Sequence, residues 1–474
     1  MKYHIIQLGC QMNISDGERV QKTLDKMGFE ETEVEEEASL LGVIACSVRQ
    51  KGIDKVYSRI SKWNKWKKKK NLLTFVSGCV LPAGKENFLK TFDLVLKMSD
   101  LPELPDMISQ YGIVSPAGMQ SLDAGFKDLE LSNKKSVNPA GFKLTTLDPD
   151  KEKISKVVKN ENIEDFWSIT PKYSSGFEAF IPIQNGCDKF CTYCAVPYTR
   201  GREVSRPSSE ILKELKRLVD NNYKSITLLG QNVNSYGLDK KGEEVNFSDL
   251  LEKIGKYGDE SGKDFWVYFT SPHPRDMNDD VLEVISKYKC LAKQIHIPVQ
   301  SGDDEVLKNM NRKHSMEKYR QIIHSIWRIL PTATIFTDII VGFTGETDEQ
   351  FENTKKIMGE LKYNMAYIAQ YSPRPGAVSS KWEDTVSKEV KKNRFHELTE
   401  ELVKYSYDYN KNMIGRTFKV LVRGRDRNKE YLSALTEGKI IIRFKSDDDS
   451  LIGQYVKVKV ESAVPFSTEG ILLK

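Results

Sequence analysis

Cysteine is scarce in this chain, histidine scarcer, and long apolar runs are missing: seven Cys and six His stand among 474 residues. No stretch approaches the roughly 18 apolar residues that a membrane-spanning helix needs, which excludes an integral helical membrane protein. The opening run Met-Lys-Tyr-His-Ile-Ile-Gln-Leu has neither the apolar core and small-residue cleavage site of a signal peptide nor the Arg/Ser bias of a transit peptide. An odd number of widely spaced cysteines without such a leader argues against a disulfide framework. The expected setting is a reducing cytoplasm, where thiols act as ligands, nucleophiles or packing groups. Net charge is small as well, since 72 Lys+Arg against 67 Asp+Glu leave only +5, so nothing global demands a nucleic-acid partner. What remains is an ordinary globular composition, 39% hydrophobic and 29% charged, with length for about three domains.

The first hundred residues alternate strand and helix patterns. Apolar runs at Tyr3–Leu8, Leu40–Ala45 and Leu72–Val76 read as strands, with helical spacing at Gly17–Met27 and Val48–Trp66. Such alternation predicts a parallel sheet with crossover helices. Each strand runs into a cysteine, Cys10, Cys46 or Cys79. Carboxyl ends of parallel strands share one edge, where ligands bind, so these three cysteines are expected to converge. Residues 113–175 are Ser-, Asn-, Lys- and Pro-rich and read as a linker or insertion, with a short helical pattern near Lys151–Lys159. Beyond it come six strand-like runs, Ala179–Gln184, Ser225–Leu229, Trp266–Thr270, Gln294–Val299, Ile335–Val341 and Ala366–Tyr371, separated by helical patterns. Six βα units are two short of a full eight-fold barrel and leave a side opening. In the last segment Val420–Val422, Ile440–Ile442 and Val456–Val460 are short strands that predict a small antiparallel barrel. Residues 412–474 hold 12 basic and 8 acidic residues, so most of the surplus charge lies there, with Arg423, Arg425, Arg427 and Lys429 in one loop. That suits a nucleic-acid module, and a solvated charged turn accounts for it too. The expected domains are 1–112, 113–175, 176–411 and 412–474, an α/β protein with an open parallel domain, a partial (βα)6 barrel and a small β-barrel.

The sharpest motif is Cys187-Asp-Lys-Phe-Cys191-Thr-Tyr-Cys194, C-x3-C-x2-C directly after the first barrel strand. Three thiolates on one loop suit an iron–sulfur cluster or zinc. A structural zinc site wants a fourth protein ligand, yet no Cys or His falls between Cys194 and His273. Three ligands on a four-iron cluster leave one iron open for a substrate or cofactor.

That motif, on the first loop of a six-fold βα barrel, resembles the radical S-adenosylmethionine superfamily. Gly9-Cys10-Gln11-Met12-Asn13, Cys194–Glu203, Leu229–Gly237 and Thr337–Phe343 further resemble its methylthiotransferases, and among these the MiaB-type tRNA enzymes. The order of domains matches everywhere except roughly residues 113–175. The resemblance implies that Cys187, Cys191 and Cys194 hold a radical-generating 4Fe–4S cluster, and that Cys10, Cys46 and Cys79 hold an auxiliary one. It implies S-adenosylmethionine contacts at Tyr193, at Gly230, Gln231 and Asn232, and at Gln300, Ser301 and Asp338. Ordinary strand-end hydrogen bonding is the plain alternative for each polar residue, and His273 and His296 stand equally between cavity lining and structural roles. No side chain is assignable as a catalytic acid or base. The reaction implied is addition of a methylthio group to C2 of N6-dimethylallyladenosine beside the tRNA anticodon. It needs a low-potential electron donor and a sulfur donor, and the chain is expected to be a monomer gripping tRNA through a TRAM-like C-terminal barrel.

Alternatives within the same chemistry are a threonylcarbamoyladenosine tRNA or a ribosomal-protein aspartate as substrate; a non-catalytic zinc- or RNA-binding protein is the alternative from another class. Cys290 matches no motif and reads as packing. The run Lys62–Lys70, with Trp63 and Trp66, reads either as an RNA contact or as a solvated helix end. Some positions depart from the family pattern, namely Gly17, Ala45, Leu81-Pro82 and Thr344, and none of them removes a ligand.

Overall fold

The computed structural model describes residues 1–46, 50–109 and 163–473. The pattern expected at Lys151–Lys159 and the start of the Val48–Trp66 helix lie outside them.

The N-terminal unit is a five-stranded, all-parallel sheet. Its strands are β1 (Lys2–Gln7), β2 (Glu30–Glu31), β3 (Leu40–Cys46), β4 (Leu73–Cys79) and β5 (Leu94–Val95), in the order β2-β1-β3-β4-β5. The near-continuous apolar stretches of β3 and β4 follow from burial on both faces. Helices α1 (Gln11–Lys26), α2 (Gln50–Trp66), α3 (Pro82–Leu89) and α4 (Leu104–Ser109) connect and flank the strands. A further helix, α5 (Ile163–Ser168), buries Ile163, Phe166 and Trp167 in the same core as Leu24, Leu40 and Phe75. The end of the expected linker segment is thus packed on the N-terminal sheet. Gly17 leaves the space that the Gln7 side chain fills, since a Cβ there would meet Gln7 Nε2 at 2.3 Å.

The central unit carries all six expected strands, as two parallel three-stranded sheets. One is β10 (Trp266–Phe269), β9 (Ser225–Leu229) and β6 (Glu178–Pro182); the other is β11 (Gln294–His296), β12 (Thr334–Val341) and β13 (Met365–Gln370). A single parallel bridge, Val267 to Leu291, joins them. A short ribbon, β7 (Gln184–Asn185) with β8 (Val204–Ser205), continues the first strand toward the cysteine loop, which runs into helix α6 (Val196–Arg200). Residues such as Ile226, Val267, Ile295 and Ile339 face the outer helices α7 (Ser208–Asp220), α8 (Phe247–Ser261), α9 (Asp279–Lys287), α11 (Met316–Ile329) and α12 (Asp348–Leu361). Short helix α10 (Asp304–Asn309) precedes α11, and α13 (Lys388–Lys411) leads to the last domain.

That domain is a closed five-stranded barrel of β14 (Thr417–Arg425), β15 (Tyr431–Thr436), β16 (Ile441–Lys445), β17 (Tyr455–Val464) and β18 (Ser467–Leu473), ordered β14-β15-β16-β18-β17. The expectation of a purely antiparallel barrel needs one correction, because β16 and β18 run parallel. Alternating directions cannot close around an odd ring, so one neighbouring pair must be parallel. Among the described residues no helix is long and apolar enough to cross a membrane.

Candidate functional site

The cysteine loop is fixed at both ends. It begins at Gly186 (φ +81°), where a Cβ would come within 2.0 Å of the Arg202 carbonyl oxygen, so only glycine fits. The Gly186 N–H donates to Gln231 Oε1 at 2.5 Å and the Cys187 N–H to Gly201 O at 3.2 Å. On the far side the Thr192 N–H donates to Met310 O (3.1 Å), its hydroxyl to Asn309 O (2.8 Å), and Asn311 Nδ2 to Phe190 O (2.9 Å). Arg312 enters the loop, with Nη1 3.6 Å from Cys191 Sγ and 3.5 Å from the Tyr193 hydroxyl, while Nη2 donates to Pro298 O at 3.0 Å. Burial pushes the Cys187 thiol up to about 12 and raises Cys194 as well, and the neighbouring thiols add to both shifts. Two such thiols side by side ionise together only when a cationic centre takes the charge.

The three strand-end cysteines also meet. Cys46 and Cys79 are register partners across β3 and β4, and Cys10 is the residue at the start of α1. Gly9 (φ +113°) lets the chain pass Cys46, whose Sγ lies 3.0 Å from where a Gly9 Cβ would stand. Asn13 ties the three strand ends together: its Nδ2 donates to Leu8 O (2.6 Å) and Ala45 O (2.7 Å), and its Oδ1 faces Cys79 Sγ at 3.7 Å. Cys10 is exposed, Cys46 and Cys79 are buried. Burial raises the Cys79 thiol to about 11; Arg200 opposes this, whereas Cys10 and Cys46 reinforce it. Among the described residues no three His, Cys, Asp or Glu side chains are already gathered to hold a single metal ion. A four-iron cluster is wider than one ion, and its ligand sulfurs stand further apart.

The expected S-adenosylmethionine contacts differ in what already engages them. Tyr193 packs against Val306, Met310, Phe343 and Tyr371 beneath the loop. Gln231 is engaged with Gly186, and Asn232 Nδ2 donates to Ser235 Oγ (2.7 Å) and Asp276 Oδ2 (3.2 Å). Gly230 leaves open the space between Gln184 and Val233. Gln300 has φ +72° and exchanges backbone hydrogen bonds with Asp338 and Ile340, while Asp338 Oδ2 lies 3.0 Å from His296 Nε2. Ser301 is turned to α12: its hydroxyl lies 3.4 Å from Thr354 Oγ1 and accepts from the Asp303 N–H. His273 Nδ1 accepts from the Arg275 N–H, so its ring proton sits on Nε2; His314 Nδ1 faces Arg312 O, leaving its Nε2 as a lone pair. Burial keeps both neutral, holding His273 far below the usual range and His314 down to about 4. Gln184 Oε1, Glu203 Oε2, Asn232 Oδ1, His273 Nε2, Arg312 Nε and His314 Nε2 are buried without a hydrogen-bond partner among the described residues. Open donors and acceptors of this kind fit a zwitterionic, hydroxyl-bearing ligand.

The chain matches the Radical SAM superfamily over residues 181–358, the family described as uncharacterized protein family UPF0004 over residues 2–98, and the TRAM domain over residues 411–473. A tRNA-2-methylthio-N(6)-dimethylallyladenosine synthase from Carboxydothermus hydrogenoformans is 35% identical to it over 99% of both chains. Synthases of the same name from Clostridium botulinum (strain Loch Maree) and Erythrobacter litoralis are each 36% identical, covering 99% and 100% of this chain and 96% and 97% of theirs. The chain belongs to this synthase family. A solved radical S-adenosylmethionine methyltransferase, TsrM from Kitasatospora setae, shares the fold at TM-score 0.53 and 12% identity, over 80% of this chain and 74% of that one. In this synthase the sequence reading passed over Asn13, Arg200, Glu203 and Arg312. The first three lie inside the quoted motifs, so position marked them but chemistry did not. Arg312 carried no signal, because its reach depends on the positive-φ turn at Asn311 and Lys313.

Proposed function

We propose that this radical S-adenosylmethionine enzyme adds a methylthio group to C2 of N6-dimethylallyladenosine in the tRNA anticodon loop. The observation that carries this reading is similarity to synthases of that name along the whole chain, N-terminal sheet and C-terminal barrel included. Cys187, Cys191 and Cys194 would hold the radical cluster and Cys10, Cys46 and Cys79 the auxiliary one; the thiol donor set and the orphaned polar atoms fit those groups. When bound, the clusters and S-adenosylmethionine supply hydrogen abstraction from an unreactive aromatic C–H and a sulfur for transfer, which no side chain here can do. The chain's own residues do the rest. Gln231 and Asn311 fix the cysteine loop, Arg312 sets a cation beside Cys191 and Tyr193, and the open atoms of Asn232, His273 and His314 orient a polar ligand. An anticodon-loop base is already unpaired, so drawing it into the barrel opening is comparatively cheap. The reaction also needs an electron donor and a sulfur donor, and a cytoplasmic setting suits both.

The test is nucleoside mass spectrometry of tRNA from cells lacking the gene, complemented with wild type or with Cys46→Ala. Wild type should restore 2-methylthio-N6-dimethylallyladenosine. Cys46→Ala should restore none, while purified Cys46→Ala still cleaves S-adenosylmethionine. Unchanged 2-methylthio content in the deletion strain would reject the substrate, and methylthiolation by Cys46→Ala would reject its ligand role.

A further inference from the structure

Arg200 crosses from one cysteine trio to the other. It lies six residues after Cys194, at the end of α6, yet its side chain is buried in the N-terminal unit. Its Nε donates to Cys79 Sγ at 3.1 Å, and its Nη2 donates to Asn13 Oδ1 at 2.9 Å and Asp16 Oδ2 at 2.6 Å. Its Nη1 faces Asn185 Oδ1 at 3.3 Å, and the Asn185 side-chain nitrogen donates to Arg200 O. A buried guanidinium with hydrogen bonds in three directions has one orientation. Asp16 balances its charge, at 1% side-chain exposure, and Asn13 links it to the ends of β1 and β3. Arginine suits this place because its planar fork reaches sulfur, amide and carboxylate together, where a lysine ammonium is a single point.

We infer that Arg200 is a positioning residue that sets the reduction potential of the auxiliary cluster, a cation lent by the barrel to a sulfur ligand of the N-terminal sheet. The inference rests on the proposed auxiliary cluster at Cys10, Cys46 and Cys79. An N–H donor and a positive charge beside a cluster sulfur stabilise the more electron-rich, reduced state and so raise the potential. No bond to Arg200 forms or breaks. Because Arg200 ends the helix that begins two residues after Cys194, it also fixes the spacing of the two trios. The Cys194 Sγ accepts from the Val196 N–H at 3.4 Å at the start of that helix.

The experiment separates the clusters. In full-length Cys187→Ala/Cys191→Ala/Cys194→Ala protein, anaerobically reconstituted, only the N-terminal trio is available, and iron content with redox-titrated electron paramagnetic resonance reads it alone. With Arg200 present this trio should bind close to four irons. Arg200→Met should bind comparable iron at a more negative midpoint potential and with altered g values, and Arg200→Lys should fall between. In the converse Cys10→Ala/Cys46→Ala/Cys79→Ala background, Arg200→Met should leave the radical cluster's potential unchanged, which also reports that the variant folds. Iron on the trio with the same potential and spectrum in all three proteins would overturn the role of Arg200. An equal shift in the converse background would overturn it too, by showing a general disturbance. No iron on the trio with Arg200 present would overturn the auxiliary-cluster reading and this inference with it.

Discussion

Asn13 lies three residues past Cys10, and its one amide nitrogen serves two strands, donating to Leu8 O and Ala45 O. Asn13→Ala takes that donor from the half-buried Leu8 carbonyl and strands the buried Ala45 carbonyl, the latter at about 1–3 kcal/mol. Thermal unfolding should show that loss, and the N-terminal trio should retain less iron while the Cys187–Cys194 loop retains its own. Equal iron on both trios would show that the strand ends need no clamp. Glu203 gives a pH prediction. Burial pushes its carboxyl up to about 7, from 4.5 when exposed, despite a hydrogen bond from Ser235. The native state therefore holds the proton more tightly than the unfolded chain. The resulting stability is fully present below pH 4.5 and is lost as pH rises through about 7, on the order of 3 kcal/mol. Melting temperature should fall between about pH 5 and about pH 8 in wild type and fall less in Glu203→Gln. Parallel pH profiles in the two proteins would assign the dependence elsewhere.

At the scale of elements, period and punctuation carried the reading. All six barrel strands and the three cysteine-ended strands stand within a few residues of their expected places, because buried parallel strands are short apolar runs bounded by turn residues. Convergence of Cys10, Cys46 and Cys79 was legible for the same reason, as a consequence of parallel topology. Pairings across sequence distance were not. The Lys62–Lys70 run left two readings open, and its partners lie some thirty residues upstream or downstream. Lys62 pairs with Glu35 and Glu36, Lys67 with Asp93, Lys70 donates to Ala38 O, and buried Trp63 donates to Glu35. These contacts tie the end of α2 to the sheet, which favours the structural reading. Cys290 behaves as its lack of a motif suggests: it is buried, and its Sγ fills the space before Gly258 on α8, where a Cβ would come to 2.3 Å. Gly258→Ala should destabilise by about 1–3 kcal/mol through overpacking. Cys290→Ala should cost on the order of 1 kcal/mol and leave iron content unchanged; an iron loss comparable to that of a motif cysteine would make Cys290 a ligand.

Across the whole molecule, the C-terminal barrel is built into the central one. Trp266, Tyr268 and Ala292 are buried with Leu421 and against Tyr455, and Phe336 of β12 joins the small barrel's own core. The turn after β15 is seated there as well: Thr334 Oγ1 donates to Gly438 O at 2.7 Å, and Lys439 Nζ lies 4.2 Å from the Tyr268 ring. Burial lowers the Lys439 ammonium to about 8. Several cations that made this domain look basic are therefore engaged at the junction or within the domain. Arg423 pairs with Glu178, Lys419 with Asp264, and Arg425 with Asp449. Lys457 and Lys459 differ, since they are exposed on the outer face of β17 beside Ile471 and Leu473 and form no ion pair among the described residues. Phosphate contacts release counterions, so each lysine that reads the tRNA backbone should steepen the salt dependence by roughly one. Lys457→Ala/Lys459→Ala should weaken tRNA binding and flatten the slope of log affinity against log salt by about 1–2, with S-adenosylmethionine cleavage unchanged. Arg423→Ala, which loses a tie between the barrels, should lower the melting temperature and leave that slope as in wild type. If Arg423→Ala flattens the slope and the double lysine variant does not, tRNA lies along the junction instead of on the outer face of β17.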